Sequence, residues 1–136
     1  MERPTFFDYK MKIKIAINGF GRIGRNLFRL LQNHPTIEVV VINDLADNET
    51  MAHLLKYDSV HGKFNGTVSY NTKGLIINNR EIVFLHEKDI AQLNWQSFDI
   101  DFVIESTGKH KTKEILQYHI NNGAKRVILS VPTRRY

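Results

Sequence analysis

Cysteine is absent from the 136 residues of this sequence. Its absence excludes disulfide bonds, thiolate metal sites and a cysteine nucleophile in this chain. No apolar run approaches the roughly 20 residues that are needed to cross a membrane. The six histidines have no metal-ligand spacing, and no G-x-S-x-G elbow marks a nucleophilic serine. We therefore expect no metal site and no serine or cysteine nucleophile in this chain.

The charge balance is modestly positive, at a formal net charge of +5. Such a charge is compatible with attraction of phosphate-bearing ligands or of nucleic acid. The basic residues near the start are spread between predicted strand and helix faces, and no nucleic-acid-binding motif is present. These residues are Lys12, Lys14, Arg22, Arg25 and Arg29. The pattern favours a solvated basic surface over a nucleic-acid interface.

Residues 1–10 have no clear hydrophobic period, and they lack the pattern of a secretory signal. We expect them to be an N-terminal extension, because Met11 directly precedes the first predicted strand. The remaining chain, residues 11–136, is long enough for one domain with a sizeable core. A cytoplasmic location is the default expectation.

Three glycines, Gly19, Gly21 and Gly24, follow a short apolar run and precede an amphipathic one. This is the pattern of the strand, turn and helix in a dinucleotide-binding βαβ unit. Gly19 allows a tight turn, Gly21 lets a pyrophosphate approach the backbone, and Gly24 lets the helix pack closely on the strand. The helix then directs its free N–H groups and partial positive charge at the phosphates.

An acidic residue follows the second predicted strand of this unit. The first helix is expected to end at His34-Pro35, and the strand spans residues 37–42. Asp44 comes 20 residues after Gly24, at the strand tip, where it can hydrogen-bond both ribose hydroxyls of an adenosine. The alternative is that Asp44 only caps the next segment.

One face of the first helix is predicted to carry the apolar residues Ile23, Leu27, Leu30 and Leu31.

The middle of the chain predicts a second helix followed by antiparallel strands. Asp47 is placed to cap a helix that buries Met51, Leu54 and Leu55. Residues 56–64 are expected to form a loop. The predicted strands and turns then alternate as strand 66–70, turn 71–74, strand 75–77, turn 78–80 and strand 81–85.

The last part of the chain predicts a return to parallel strands. Residues 88–95 suggest one helical turn anchored by Leu93 and Trp95. Strand 101–105, helix 111–121 and strand 126–130 follow, with Gly123 ending the helix. The inward residues of that helix are predicted to be Ile115, Leu116, His119 and Ile120. The expected fold class is α/β, a Rossmann-type doubly wound and mostly parallel sheet with a small antiparallel β insertion.

Four segments lie at the carboxyl ends of predicted parallel strands. Ligands of open α/β sheets bind outside these ends. We therefore expect one crevice to be formed by residues 19–23, Asn43-Asp44, residues 106–108 and Ser130.

Several motifs resemble glyceraldehyde-3-phosphate dehydrogenase. The first is Ala16-Ile17-Asn18-Gly19-Phe20-Gly21-Arg22-Ile23-Gly24-Arg25, and further matching segments are 42–45, 51–62, 105–109 and 123–130. The resemblance covers Met11 to about Pro132. Erythrose-4-phosphate dehydrogenase shares most of these motifs and is the alternative, but Asp44-Leu45 and residues 58–61 are more similar to the glyceraldehyde enzyme.

The resemblance implies NAD as cofactor and assigns roles around the crevice. Arg22 and Ile23 would offer backbone N–H groups to the pyrophosphate. Asp44 would bind the adenosine ribose and favour NAD over NADP, since its carboxylate repels a 2′-phosphate. Lys88 would lie near the adenine through its backbone, and Ser130 near the nicotinamide. The full implied set is Asn18, Gly19, Phe20, Gly21, Arg22, Ile23, Gly24, Asp44, Lys88, Thr107, Gly108 and Ser130.

Some features depart from the family pattern. His110 stands where an aromatic residue usually follows Thr-Gly-Lys, and Ser130-Val131-Pro132 replaces Ser-Ala-Pro. The family's catalytic cysteine, base histidine and phosphate-binding residues come later and are absent here, as is the catalytic domain. The resemblance therefore implies the NAD-binding part of a glycolytic dehydrogenase that is inactive alone. It also implies a structural role for Glu105.

A non-enzymatic role is the alternative reading. The chain would then bind nucleotide, form homo-oligomers or associate with full-length subunits through a surface left exposed by the missing part.

Overall fold

A seven-stranded sheet lies at the centre of this computed structural model, which describes residues 12–58, 62–110 and 112–130. The strands are β1 Ile13–Asn18, β2 Ile37–Asn43, β3 Tyr57–Asp58, β4 Gly62–Lys63, β5 Val68–Tyr70, β6 Gly74–Ile77, β7 Arg80–Leu85, β8 Phe102–Glu105 and β9 Arg126–Leu129. Among the described residues, seven of these strands form the sheet, and β3 and β4 form a separate pair. The order in the sheet is β5-β6-β7-β2-β1-β8-β9. Strands β7, β2, β1, β8 and β9 are parallel, and β5, β6 and β7 pair antiparallel. The predicted Rossmann-type α/β class is confirmed.

In the described residues, three α-helices connect the strands, and two short 3₁₀ turns precede β8. The helices are α1 Arg22–Leu31, α2 Asn48–Lys56 and α3 Lys113–Asn121, and the 3₁₀ turns are Ile90–Gln92 and Trp95–Phe98. Two 3₁₀ turns are present where one helical turn was predicted. Leu93 and Trp95 are buried, as expected for the anchors of this segment. Among the described residues, no helix is both long and apolar enough to cross a membrane.

Alternating residues of the sheet face two separate cores. Ile15 and Ile17 of β1 pack in one core with Phe28 of α1 and Leu55 of α2. Ala16 packs on the opposite face with residues that include Trp95, Val103 and Ala124. This alternation follows from the period of two in a strand, so both faces of the sheet are covered.

Several local predictions agree with the backbone. Asp47 caps α2, since its carboxylate accepts a hydrogen bond of 2.7 Å from the Thr50 N–H. Asn78 and Asn79 have positive φ values of 51° and 67° in the β6–β7 turn. Gly123 has a φ of 116° just after α3, where a residue with a Cβ would be strained.

The prediction for the buried face of α1 was wrong at Leu30, which is 79% exposed. The buried residues are Gly24 and Phe28, and Leu27 and Leu31 are half-buried beside them. The buried face of α1 is centred on these four positions because Phe28 inserts its ring into the core. Leu30 lies about 100° around the helix axis from the middle of that face and so points to solvent.

Two boundaries also differ from the sequence expectation. Helix α1 ends at Leu31, before His34-Pro35, because Gln32 is extended with a ψ of 134° and Asn33 then turns the chain with a φ of 59°. The expected loop over 56–64 contains a short ladder in which β3 pairs antiparallel with β4. The antiparallel strands β5 and β6 continue the main sheet through β7. Residues 1–11, 59–61, 111 and 131–136 lie outside the described residues, as do the predictions made for them.

We expect Gly74→Ala to destabilise the fold by about 1–3 kcal/mol or more. A Cβ at Gly74 would overlap the Ile82 carbonyl and the Phe84 backbone nitrogen. Gly21→Ala is the matched control, because no atom lies within 4 Å of its added Cβ. Urea unfolding followed by Trp95 fluorescence measures both variants. Equal unfolding midpoints would contradict the packing described for β6.

Candidate functional site

A crevice of about 420 Å³ opens at the carboxyl ends of β1, β2 and β8. It is lined by Asn18, Gly19, Gly21, Asn43, Asp44, Leu45, Glu87, Lys88, Ile90, Leu93, Ser106, Thr107, Lys109 and His110. Six of the predicted site residues are in this lining: Asn18, Gly19, Gly21, Asp44, Lys88 and Thr107. Two other cavities, of about 400 and 600 Å³, contain none of the predicted site residues. The described residues include no cluster of three potential metal ligands.

The glycine turn after β1 has three distinct local environments. Gly19 has a φ of 100°, and a Cβ there would come 2.8 Å from the Thr107 backbone nitrogen. A Cβ at Gly24 would overlap the Gly19 carbonyl, so α1 packs directly on the turn. Gly21 instead has open space where a Cβ would be. Within the described part of the chain, no side chain caps the start of α1, where the N-cap residue is Gly21, so its first N–H groups have no capping acceptor there.

The other predicted residues lie outside the crevice lining. The ring of Phe20 is fully buried and packs edge-on against Phe28 and Phe84, with ring centroids 5.8 Å and 5.4 Å away. Only its backbone is available to the turn. Ser130 is half-buried, and its N–H donates to the Glu105 carbonyl at 2.9 Å. The remaining predicted residues outside the lining are Arg22, Ile23, Gly24 and Gly108.

Asp44 connects the end of β2 to the glycine turn. Its Oδ2 accepts a 2.7 Å hydrogen bond from the Phe20 N–H, and its Oδ1 accepts a 3.0 Å bond from the Ala46 N–H. A carboxylate has about four acceptor positions, so each oxygen retains one. Asp44 does turn the following segment, but the cap of α2 is Asp47. The fixed carboxylate therefore keeps acceptor capacity beside the crevice.

A buried polar network, which sequence reasoning did not predict, lies beneath the crevice. The Asn43 Nδ2 donates to the Asn18 Oδ1 at 2.8 Å, and the Asn18 Nδ2 donates to the Glu105 Oε1 at 2.7 Å. The second carboxylate oxygen, Oε2, accepts from the Thr107 N–H at 3.0 Å and from its hydroxyl at 2.7 Å. Polar residues at three neighbouring strand ends were the available signal in the sequence.

His119 extends the network to the only tryptophan. The Trp95 Nε1–H donates to the His119 Nδ1 at 2.9 Å, and the His119 Nε2 lies 2.9 Å from the Glu105 Oε1. An indole N–H can only donate a hydrogen bond, so the His119 Nδ1 is the acceptor. The His119 Nε2 therefore carries the hydrogen and donates a hydrogen bond to Glu105. The histidine is thus a neutral donor, and the packed role expected for it is consistent with its complete burial.

Glu105 is a fully buried carboxyl with several donors around it. Its burial disfavours the charged form, but hydrogen bonds from His119, Thr107 and Asn18 outweigh burial and hold the pKa of Glu105 below its usual range. The network therefore stabilises the carboxylate.

We expect this carboxylate to make the fold sensitive to acid. A group with a lowered folded pKa adds stability above its unfolded pKa, and that stability is lost as the pH falls through the folded pKa. For Glu105 the loss begins below about pH 4. Glu105→Gln should reduce the slope of unfolding free energy against pH there, by at most about 1.4 kcal/mol per pH unit.

Urea unfolding between pH 2.5 and 7 measures this slope. Glu114→Gln, at an exposed carboxyl on α3, is the control and should change the slope less. Parallel curves for wild type and Glu105→Gln would contradict the assignment of the carboxylate.

The sequence of this chain is similar to those of known proteins. The family model for "Glyceraldehyde 3-phosphate dehydrogenase, NAD binding domain" matches residues 13–113. The glyceraldehyde-3-phosphate dehydrogenase of Geobacillus stearothermophilus is 49% identical over 124 residues, which are 91% of this chain and 37% of the relative. The enzymes of Thermotoga maritima and Haemophilus influenzae are each 50% identical, over 89% and 91% of this chain. The chain spans 37% of each of these two relatives as well.

Proposed function

Since the chain belongs to the glyceraldehyde-3-phosphate dehydrogenase family, through its NAD-binding domain, we propose that NAD binds in the crevice at the ends of β1, β2 and β8. One observation carries the location: the glycine turn and Asp44 meet there, joined by the 2.7 Å hydrogen bond from Phe20 to Asp44. The open space at Gly21 and the uncapped start of α1 fit a pyrophosphate.

In this proposal, residues in the crevice lining and predicted residues outside it each bind one part of the cofactor. The backbone N–H groups of Arg22 and Ile23 bind the pyrophosphate, and Asp44 accepts hydrogen bonds from the adenosine ribose. The backbone at Lys88 borders the adenine. Thr107 and Gly108 border the cofactor farther along, and Ser130 lies toward the nicotinamide. Bound NAD supplies a hydride acceptor.

The catalytic role of the complete proteins is a further part of the proposal. This chain would supply the cofactor half of a glycolytic, cytoplasmic dehydrogenase that acts on an aldehyde. Alone it would bind NAD without catalysis, because it has no cysteine to form a thiohemiacetal with the substrate.

Association with other subunits is a second candidate role. Ile128 and Leu129 are 47% and 39% exposed on β9, the last strand of the sheet among the described residues. Exposed apolar side chains on an edge strand favour a protein contact. Sedimentation equilibrium tests this role, and a monomer at all concentrations, without or with a full-length relative, would contradict it.

We expect Asp44→Asn to reduce the preference for NAD over NADP. The amide keeps one acceptor for the Phe20 or Ala46 N–H but removes the charge. A like charge about 4 Å from a 2′-phosphate costs roughly 1–4 kcal/mol, so the ratio of the NADP Kd to the NAD Kd should fall about fivefold or more. Calorimetric titration of the wild type and of Asp44→Asn with NAD and with NADP measures this ratio of Kd values.

Asp44→Ala is the companion variant, and it should weaken NAD itself by removing every carboxylate acceptor. Glu49→Gln, at an exposed carboxyl on α2 that does not line the crevice, is the control for a general loss of negative charge. An unchanged ratio in Asp44→Asn, or the absence of saturable NAD binding by the folded wild type, would contradict the proposal.

A further inference from the structure

Five hydrogen-bonded residues form a buried chain beneath the crevice, which we call the Glu105 network. Asn18, Asn43, Glu105, His119 and Trp95 are each at most 4% exposed. Most buried polar groups in folded proteins are hydrogen-bonded, because burying one without a partner costs free energy. Each link therefore restricts the position of the next residue, from the end of β2 to the 3₁₀ turn at Trp95.

One end of the Glu105 network holds the segment that contains Lys88. The Asn43 Nδ2 donates to the Glu87 carbonyl at 2.9 Å, and the Glu87 N–H donates back to the Asn43 Oδ1 at 2.8 Å. This reciprocal pair uses the Oδ1 and one of the two Nδ2 hydrogens of Asn43, and the other hydrogen is donated to the Asn18 Oδ1. The position of the segment beside the crevice thus depends on how Asn43 is oriented by Asn18.

Glu105 itself holds the opposite wall. Its Oε2 accepts both hydrogen bonds from Thr107, and the Thr107 hydroxyl accepts from the Lys109 N–H at 3.1 Å. The neighbouring Ser106 hydroxyl donates to the Gly19 carbonyl at 2.6 Å. The carboxylate therefore holds the loop after β8 through Thr107, and the Ser106 hydroxyl connects that loop to the glycine turn.

We propose that Glu105 is a positioning residue for the cofactor: it fixes both walls of the crevice through Asn18 and Thr107, and it transmits occupancy of the crevice to the Trp95 indole through His119. This inference rests on the proposed function, because it takes NAD to occupy the crevice. Trp95 is fully buried and does not line the crevice, so a response of its N–H would have to be transmitted.

The requirement for a carboxylate follows from counting donors. Glu105 accepts from Asn18 and His119 on one oxygen and from the two Thr107 donors on the other. Glutamine has the same size but replaces one oxygen with an NH₂ donor. In either orientation of the glutamine amide, its NH₂ group would face hydrogen-bond donors, either those of Asn18 and His119 or those of Thr107. The wall of the crevice on that side would therefore move.

The test uses NMR of the ¹⁵N-labelled full chain titrated with NAD. Trp95 is the only tryptophan, so its indole N–H gives a single cross-peak. The backbone amides of Arg22 and Ile23 report NAD binding itself. In the wild type we expect the amides and the indole to shift with the same midpoint. In Glu105→Gln we expect the amides to shift at about tenfold higher NAD, while the indole stays still.

Ile82→Val is the control, because it removes one methyl from a buried residue of β7 outside the network. It should bind NAD within twofold of the wild type and keep the indole shift. Glu105→Asp retains two acceptor oxygens, so it should recover part of the affinity lost in Glu105→Gln. A merely structural role of Glu105 would not separate these variants once each is folded.

The outcomes separate the two proposals. Wild-type amides that do not shift would overturn the proposed function, and this inference with it. Amide shifts with a motionless wild-type indole would overturn the transmission, even if Glu105→Gln does not fold. Equal NAD affinity in wild type and folded Glu105→Gln would overturn the positioning role and leave NAD binding intact.

Discussion

The register of three parallel strands is the constraint on which the candidate site depends. Asn18 at the end of β1 is level with Asn43 of β2 on one side and with Glu105 of β8 on the other. Three polar side chains therefore meet at one edge of the sheet, where Glu105 accepts hydrogen bonds without an exposed surface. A one-residue slip of either pairing would reverse the faces of the strand and separate these groups.

The site is built from loops, but the sheet determines where those loops begin. The glycine turn leaves β1, Asp44 follows β2, and Thr107 follows β8. Direct hydrogen bonds then join these segments, from Phe20 to Asp44 and from Ser106 to Gly19. The crevice is thus largely formed by the fold itself, which suits a dinucleotide site that must present backbone N–H groups at fixed positions.

Local chemistry explains which features could be predicted from the sequence. The spacing of Gly19, Gly21 and Gly24, the Asp47 cap and the αL position of Gly123 each depend on residues close in the chain. Glu105 and His119 are 14 residues apart, and Trp95 and His119 are 24 apart. Their contact follows from the packing of α3 on the sheet, so no spacing rule indicated it.

The wrong predictions have the same origin. Leu30 fits a helical apolar stripe, but the position of the Phe28 ring in the core decides which face of α1 is buried. The proline rule predicts that α1 ends at His34-Pro35, whereas the chain leaves the helix at Gln32 and turns at Asn33 through its positive φ. Periodicity alone does not distinguish among neighbouring apolar positions.

Hydrogen–deuterium exchange of the full chain, without and with saturating NAD, tests the location of the cofactor most directly. If NAD binds in the crevice, we expect it to slow exchange at residues 19–24, 43–46, 86–89 and 105–108 and to leave the β5–β6 turn unchanged. Protection confined to another cavity, such as the one between α2 and β5, or no protection anywhere, would contradict it.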